Sequence, residues 1–154
     1  MIKIISGHIN TFKTTKLIET YDAQKKGDGF AALKYMKQNQ VHYYNAINLK
    51  SKEQKLLSMH IDFFQNDFEI CCQIGPYVFN QETVDWVTGH IEQMINQNIQ
   101  PIYFDELGML ELAGQGFHHL FKKMLNSKLD LIIVIRTDLI QKMKDVYQFE
   151  ADIF

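Results

Sequence analysis

Residues Gly7 to Thr15 read Gly-His-Ile-Asn-Thr-Phe-Lys-Thr-Thr. A glycine followed at fixed spacing by a lysine and a threonine, between a β-branched run and a helical segment, follows the phosphate-cradling pattern G-x4-G-K-[ST]. The backbone N–H groups of such a loop turn toward phosphate oxygens, and the helix N-terminus behind it favours negative charge. Lys13 would bring a point charge to the outer phosphates and Thr14 a hydroxyl to Mg²⁺. Phe12 stands where the pattern has its second glycine. If that position demands a positive φ, a bulky residue costs about 1–3 kcal/mol there. Taken alone, these residues would equally make a plain strand–turn–helix corner carrying an exposed lysine.

A second group of candidates lies at the end of an apolar run, Ile102-Tyr103-Phe104-Asp105-Glu106. Two acids closing a buried strand suit a Walker-B role, in which Asp105 holds Mg²⁺ through its water shell and Glu106 orients or activates the attacking water. A polar strand end is the plain alternative, and it loses ground once Lys13-Thr14 precede the acids in the right order. The chain has 15 lysines but a single arginine, Arg136, which ends the next apolar run. As a cis arginine it would stabilise charge on a transferring phosphoryl group. As an ordinary residue it would cap a strand at the surface.

The elements that must position these groups follow from hydrophobic periodicity. Ile2–Ser6 predicts a first strand, ended by Gly7, and residues 14–25 predict a helix with Leu17, Ile18 and Tyr21 on one face. Asn80 is a candidate N-cap for a helix bearing Val84, Val87, Ile91, Met94 and Ile95. Phe117, Leu120, Phe121, Met124 and Leu125 mark another helix, followed by the fully apolar Leu131–Ile135. Two apolar strands joined by an amphipathic helix make a right-handed βαβ crossover and so a mainly parallel sheet covered on both faces, an α/β fold of three layers. Ligands of such sheets sit outside the carboxyl ends of the strands, where Gly7, Asp105, Glu106 and Arg136 all fall. Residues 30–79 are expected to add antiparallel strands at Phe30–Met36, Val41–Leu49 and Phe68–Phe79, with Lys52–His60 as a short helix. The C-terminal Asp152-Ile153-Phe154 is expected to form the last strand.

The 154 residues fit a single domain, 1–154, long enough to bury a core. Hydrophobic residues make up 46% and charged residues 22%, which excludes a disordered chain. The formal net charge of -2 leaves no basic excess for a phosphate backbone, so nucleic-acid binding is not expected. The mean hydropathy is -0.20 and no apolar run approaches the roughly 20 residues of a membrane span. The opening apolar run is too short for a signal peptide, and the two adjacent cysteines make poor staple geometry, so a reducing cytoplasmic setting is expected. Cys71 and Cys72 are expected to alternate faces of a strand as inert buried thiols. His118-His119 read as a surface pair, Trp86 and His90 as a packing pair, Tyr43-Tyr44 as sheet packing, and Lys25-Lys26 as a solvated helix end. For Glu111 a polar contact at a helix N-terminus is at least as good a reading as catalysis.

Beyond these individual readings, the chain resembles the thermophile-type P-loop nucleoside-triphosphatase family, a RecA-like group, over nearly its whole length. The residues that carry the resemblance are Gly7 through Thr15, Gly75-Pro76-Tyr77-Val78, and above all Asp105-Glu106-Leu107-Gly108-Met109-Leu110-Glu111-Leu112, close to the family signature D-E-[IL]-G-x-[LM]-E. Gly116-Phe117 and the strand closing on Arg136 also fit, whereas Phe12 departs from the family's glycine and makes the Walker A degenerate. The resemblance implies Mg²⁺-dependent hydrolysis of ATP, GTP and related nucleotides with weak base selectivity. It gives nucleotide-binding roles to Gly7–Thr15, metal roles to Thr14 and Asp105, and catalytic roles to Lys13 and Glu106, with Arg136 assisting. The competing expectation, favoured by Phe12, is a nucleotide-binding or vestigial module that acts through a protein partner without hydrolysis. A small kinase is disfavoured, because one arginine cannot build a guanidinium lid over two phosphorylated substrates.

Overall fold

In the computed structural model, which describes residues 1–9 and 11–154, one nine-stranded mixed sheet runs through the molecule. The strands are β1 (Ile2–Ile5), β2 (Asp28–Lys37), β3 (Gln40–Asn48), β4 (Gln54–His60), β5 (Ile70–Ile74), β6 (Tyr77–Asn80), β7 (Ile102–Phe104), β8 (Leu131–Val134) and β9 (Asp152–Ile153). Their spatial order is β5-β6-β4-β3-β2-β7-β8-β1-β9. From β2 to β9 all neighbours are parallel, while β2-β3, β3-β4, β4-β6 and β6-β5 are antiparallel. The helices are α1 (Lys13–Gln24), α2 (Gln81–Asn96), the single turn α3 (Met109–Leu112), α4 (His118–Asn126) and α5 (Ile140–Tyr147).

The period-2 alternation of the apolar strands divides the core between two layers of helix. Ile5, Tyr103, Ile132 and Val134 face Leu17 and Tyr21 of α1. Ile4, Ile102, Phe104, Leu131 and Ile133 face the other way, toward Ile91 of α2, Phe121 of α4 and Met143 of α5. Each large apolar side chain buried this way contributes about 1.5–3 kcal/mol. The same packing holds the β7–β8 edge rigid beneath the candidate acids.

Two expectations in the middle of the chain are corrected. Residues 54–60 form a strand rather than a short helix. Leu57, Ser58 and Met59 are all buried, with β3 on one side and β6 on the other. A strand covered on both faces loses the alternation that would have marked it. The Phe68–Phe79 run is split into β5 and β6 by Gly75-Pro76, Gly75 taking a φ of 53°, a left-handed turn conformation that glycine reaches freely. Sequence periodicity also gave no warning of α3 or α5, both short.

Candidate functional site

At the carboxyl edge of the parallel strands the phosphate-loop residues meet the two acids. Gly7 follows β1 without room for a side chain, since a Cβ would lie 2.4 Å from Thr11 Oγ1. The loop closes on itself. Lys13 is 8% exposed, and its Nζ donates to the His8 carbonyl at 2.6 Å and to Thr11 Oγ1 at 3.4 Å. Asn10 lies outside the described residues, so its place in the cradle is not part of this geometry. Thr15 is exposed on the first turn of α1, away from the buried Lys13.

Phe12 does not take the positive φ at which a bulky residue would be strained. It caps α1 with φ -81° and ψ 42°, so the position does not require a positive φ here and the phenyl ring imposes no backbone strain. The ring is 83% exposed, beside Ile9 at 63%. The loop reaches the helix without a second glycine because its turn is closed by the Thr11 and Lys13 amides, which donate to His8 and Thr11 carbonyls.

Thr14 and Asp105, 91 residues apart, form the central contact: the threonine hydroxyl donates to Asp105 Oδ2 at 2.7 Å. The same oxygen accepts the Ala32 N–H at 2.9 Å, because β2 continues past the end of β7 and leaves that amide free. Asp105 Oδ1 is buried without a hydrogen-bond partner, the one such side-chain atom among the described residues. Burial, reinforced by the neighbouring Glu106 carboxylate, pushes the Asp105 carboxyl up to about 7, against the pull of Ala32 N–H, Thr14 and Lys13. An orphaned carboxylate oxygen beside a hydroxyl is a hard-oxygen donor set of the kind Mg²⁺ prefers, and these residues fit that ion.

Glu106 stands next to this pair in a conformation of its own. Its φ is 53°, in the left-handed region that a non-glycine residue occupies at a cost of about 1–3 kcal/mol. The backbone thereby turns an exposed carboxylate out over the edge of the sheet. Its charge reaches Asp105, and it also raises the phenols of Tyr44 and Tyr77, whose rings meet edge to face at 5.8 Å. The main cause of both phenol shifts is burial. Tyr44 and Tyr77 belong to the antiparallel strands, so that part of the sheet supplies a wall to the site. Sequence reasoning assigned Tyr44 to sheet packing and missed this role, which only the register of β3 reveals.

Arg136 follows β8 at the same edge, where the Thr137 amide donates to the Gly7 carbonyl at 3.1 Å. Its guanidinium forks onto Asp138, Nε to Oδ1 at 2.6 Å and Nη2 to Oδ2 at 2.9 Å. Nearby Glu111 is buried and acts as a brace. Oε1 accepts the Gly108 N–H at 2.8 Å and Oε2 the Phe117 N–H at 3.2 Å, which ties both ends of the loop after Glu106. Burial lifts its carboxyl to about 7. Tyr147 Oη–H donates to the Glu111 carbonyl at 2.8 Å, and His118 Nδ1 lies 2.6 Å from that hydroxyl, so His118 is a linked residue rather than a free surface ring. Replacing Glu111 with alanine strands two buried amides, and an unfolding titration is expected to register a loss of about 2–4 kcal/mol.

The remaining residues set aside earlier have structural employment. Trp86 and His90 both pack edge-on against Phe30. His90 also bonds the buried Asp28 at 2.8 Å, a carboxylate that gathers Gly29, Asn48 and Lys50 at the opposite end of β2 from the acids. Lys25 is exposed at the end of α1, as expected.

The whole-chain architecture has close counterparts among solved structures. The solution structure of a human cancer-related nucleoside triphosphatase superposes with a TM-score of 0.65 at 17% identity, covering 98% of this chain and 86% of that one. The crystal structure of THEP1 from the hyperthermophile Aquifex aeolicus gives a TM-score of 0.67 at 17% identity, covering 100% and 88%. At that identity the likeness is one of fold. No curated protein sequence matches the chain. The family profile described as NTPase, in contrast, matches residues 3–152, almost end to end. With a match of that extent laid over the loop, the acids and the shared fold, the chain belongs to the NTPase family.

Proposed function

We propose that residues 1–154 act as a single Mg²⁺-dependent nucleoside triphosphatase that hydrolyses ATP, GTP and related nucleotides with little regard for the base. The observation that carries this reading is the buried Asp105, hydrogen-bonded to Thr14 and keeping one oxygen unpaired, beside the Lys13 loop. Most buried aspartates that serve structure alone have both oxygens satisfied. Lys13 leaves the His8 carbonyl to meet the outer phosphates, while Thr14 and Asp105 hold Mg²⁺. When bound, the ion neutralises phosphate charge and favours in-line displacement. Glu106 orients the attacking water and accepts its proton, and its left-handed backbone fixes the carboxylate over the site. Arg136, drawn from Asp138, meets charge that develops on the terminal phosphoryl oxygens. No helix among the described residues is long and apolar enough to cross a membrane, and the reading sets the protein in the cytoplasm.

A second reading, a nucleotide-gated module working through a protein partner, is favoured by the exposed Ile9 and Phe12 on the loop itself. Thermal melts with ATP, GTP, CTP and UTP, each with and without Mg²⁺, followed by a phosphate-release assay, separate the two. At about 100 times its dissociation constant a ligand adds roughly 2.7 kcal/mol, or about 5–10 °C for a domain of this size. The expected result is a Mg²⁺-dependent shift with all four nucleotides and steady phosphate release. A shift without release supports the module, and no shift with any nucleotide removes both readings.

A further inference from the structure

Cys71 and Cys72 are neighbours on β5, the outermost strand of the antiparallel extension. Regular alternation would send their side chains to opposite faces. They were expected to lie so, and they do not. Ile70 pairs with Asn80 and Cys72 with Phe79, so two steps along β5 match one step along β6, and Cys71 is the extra residue of a β-bulge. The bulge swings the two side chains together, and their Sγ atoms lie 3.1 Å apart. Both thiols are free and only half-buried. Nothing in the nucleotide chemistry uses these sulfurs.

We propose that Cys71 and Cys72 form a redox modification site that closes to a vicinal disulfide in exchange with a small disulfide such as oxidised glutathione. In the first step one cysteine thiolate attacks a glutathione sulfur, forming a protein–glutathione disulfide and expelling one glutathione thiolate. In the second, the other cysteine, as thiolate, attacks the protein sulfur of that mixed disulfide, forming the Cys71–Cys72 bond and expelling the second glutathione as its thiolate. Two protein thiols become one disulfide, one molecule of oxidised glutathione becomes two of reduced glutathione, and the two thiol protons go with them. Burial raises the Cys72 thiol to about 12, so Cys72 enters as the second sulfur, already in contact with the first. The bond is strained. Adjacent Cα atoms are about 3.8 Å apart across a trans peptide, short of the roughly 4.4–6.8 Å usual for disulfides, and strained disulfides are easily reduced. The site is therefore a reversible device and adds no permanent staple. It stands whether or not the chain hydrolyses nucleotide.

The chain's only two cysteines are this pair, so its products are unambiguous. The folded full chain is incubated with excess oxidised glutathione, then examined by thiol titration and non-reducing intact mass. The expected result is loss of both titratable thiols and of two hydrogen atoms in mass, in the monomer, with both thiols restored by reduced glutathione. Cys72→Ser accumulates a lasting glutathione adduct on Cys71. A wild-type chain that keeps two thiols, holds glutathione adducts or forms disulfide-linked dimers overturns the proposal.

Discussion

Glu106→Gln is expected to lower nucleotide turnover by about 10²–10⁴-fold, the usual worth of a positioned general base. The amide keeps the size of the side chain and most of its contacts, so the melting shift with Mg-nucleotide should persist in the variant. This separation of binding from turnover follows from where the residue sits. Glu106 makes none of the hydrogen bonds that tie Thr14, Asp105 and Ala32 together, and its carboxylate is exposed at the edge of the sheet. A purely structural acid would gain nothing from a left-handed φ of 53°. Steady-state phosphate release paired with a melt decides the matter: turnover within a few-fold of wild type would remove Glu106 from the mechanism.

Asp105→Asn is expected to abolish Mg²⁺-dependent nucleotide binding and yet stabilise the metal-free protein. An unfolded aspartate ionises near 4, whereas burial holds the folded carboxyl at about 7. Between those values the folded chain keeps a proton that the unfolded chain has released, so stability is full below about pH 4 and declines as pH rises through 7. Glu111, raised to about 7 by burial as well, acts in the same direction. Asparagine removes the ionisation at position 105 but sets an unpaired N–H₂ where Oδ1 now lies. The balance is a gain of about 1–3 kcal/mol at pH 8, or about 3–8 °C in Tm, that vanishes near pH 4. Melts of both proteins in chelator across that range test it, and a variant no more stable than wild type at pH 8 would refute the account of Asp105.

These two acids were legible in the sequence because chain order and fold class act together. A β-branched run before Gly7, apolar runs ending at Phe104 and Ile135, and amphipathic helices between them leave few ways to arrange a parallel sheet, and its carboxyl edge collects whatever follows each strand. That is how residues 14 and 105 could be paired without a contact in view. What was not legible depended on pairing register. Leu56, Leu57, Met59 and His60 have helical spacing as well as any helix, and only their burial between β3 and β6 makes them a strand. The bulge that joins Cys71 to Cys72 exists only against β6. Tyr44 reaches the acids because β3 pairs with a β2 that outruns its parallel neighbour. The backbone at Phe12 was not legible for another reason. A motif records which residue usually satisfies a backbone geometry, and here the loop takes a different geometry.

The overrun of β2 makes one strand belong to two mechanical units. Its first residues are riveted to β7 in the stiff parallel slab, and its later ones carry the four antiparallel strands as a cantilever. The fulcrum is Ala32, whose amide holds Asp105 at 2.9 Å. A shift of the far strands is therefore expected to reach the Asp105 carboxylate through this one amide, and a change at that carboxylate to reach the arm by the same route.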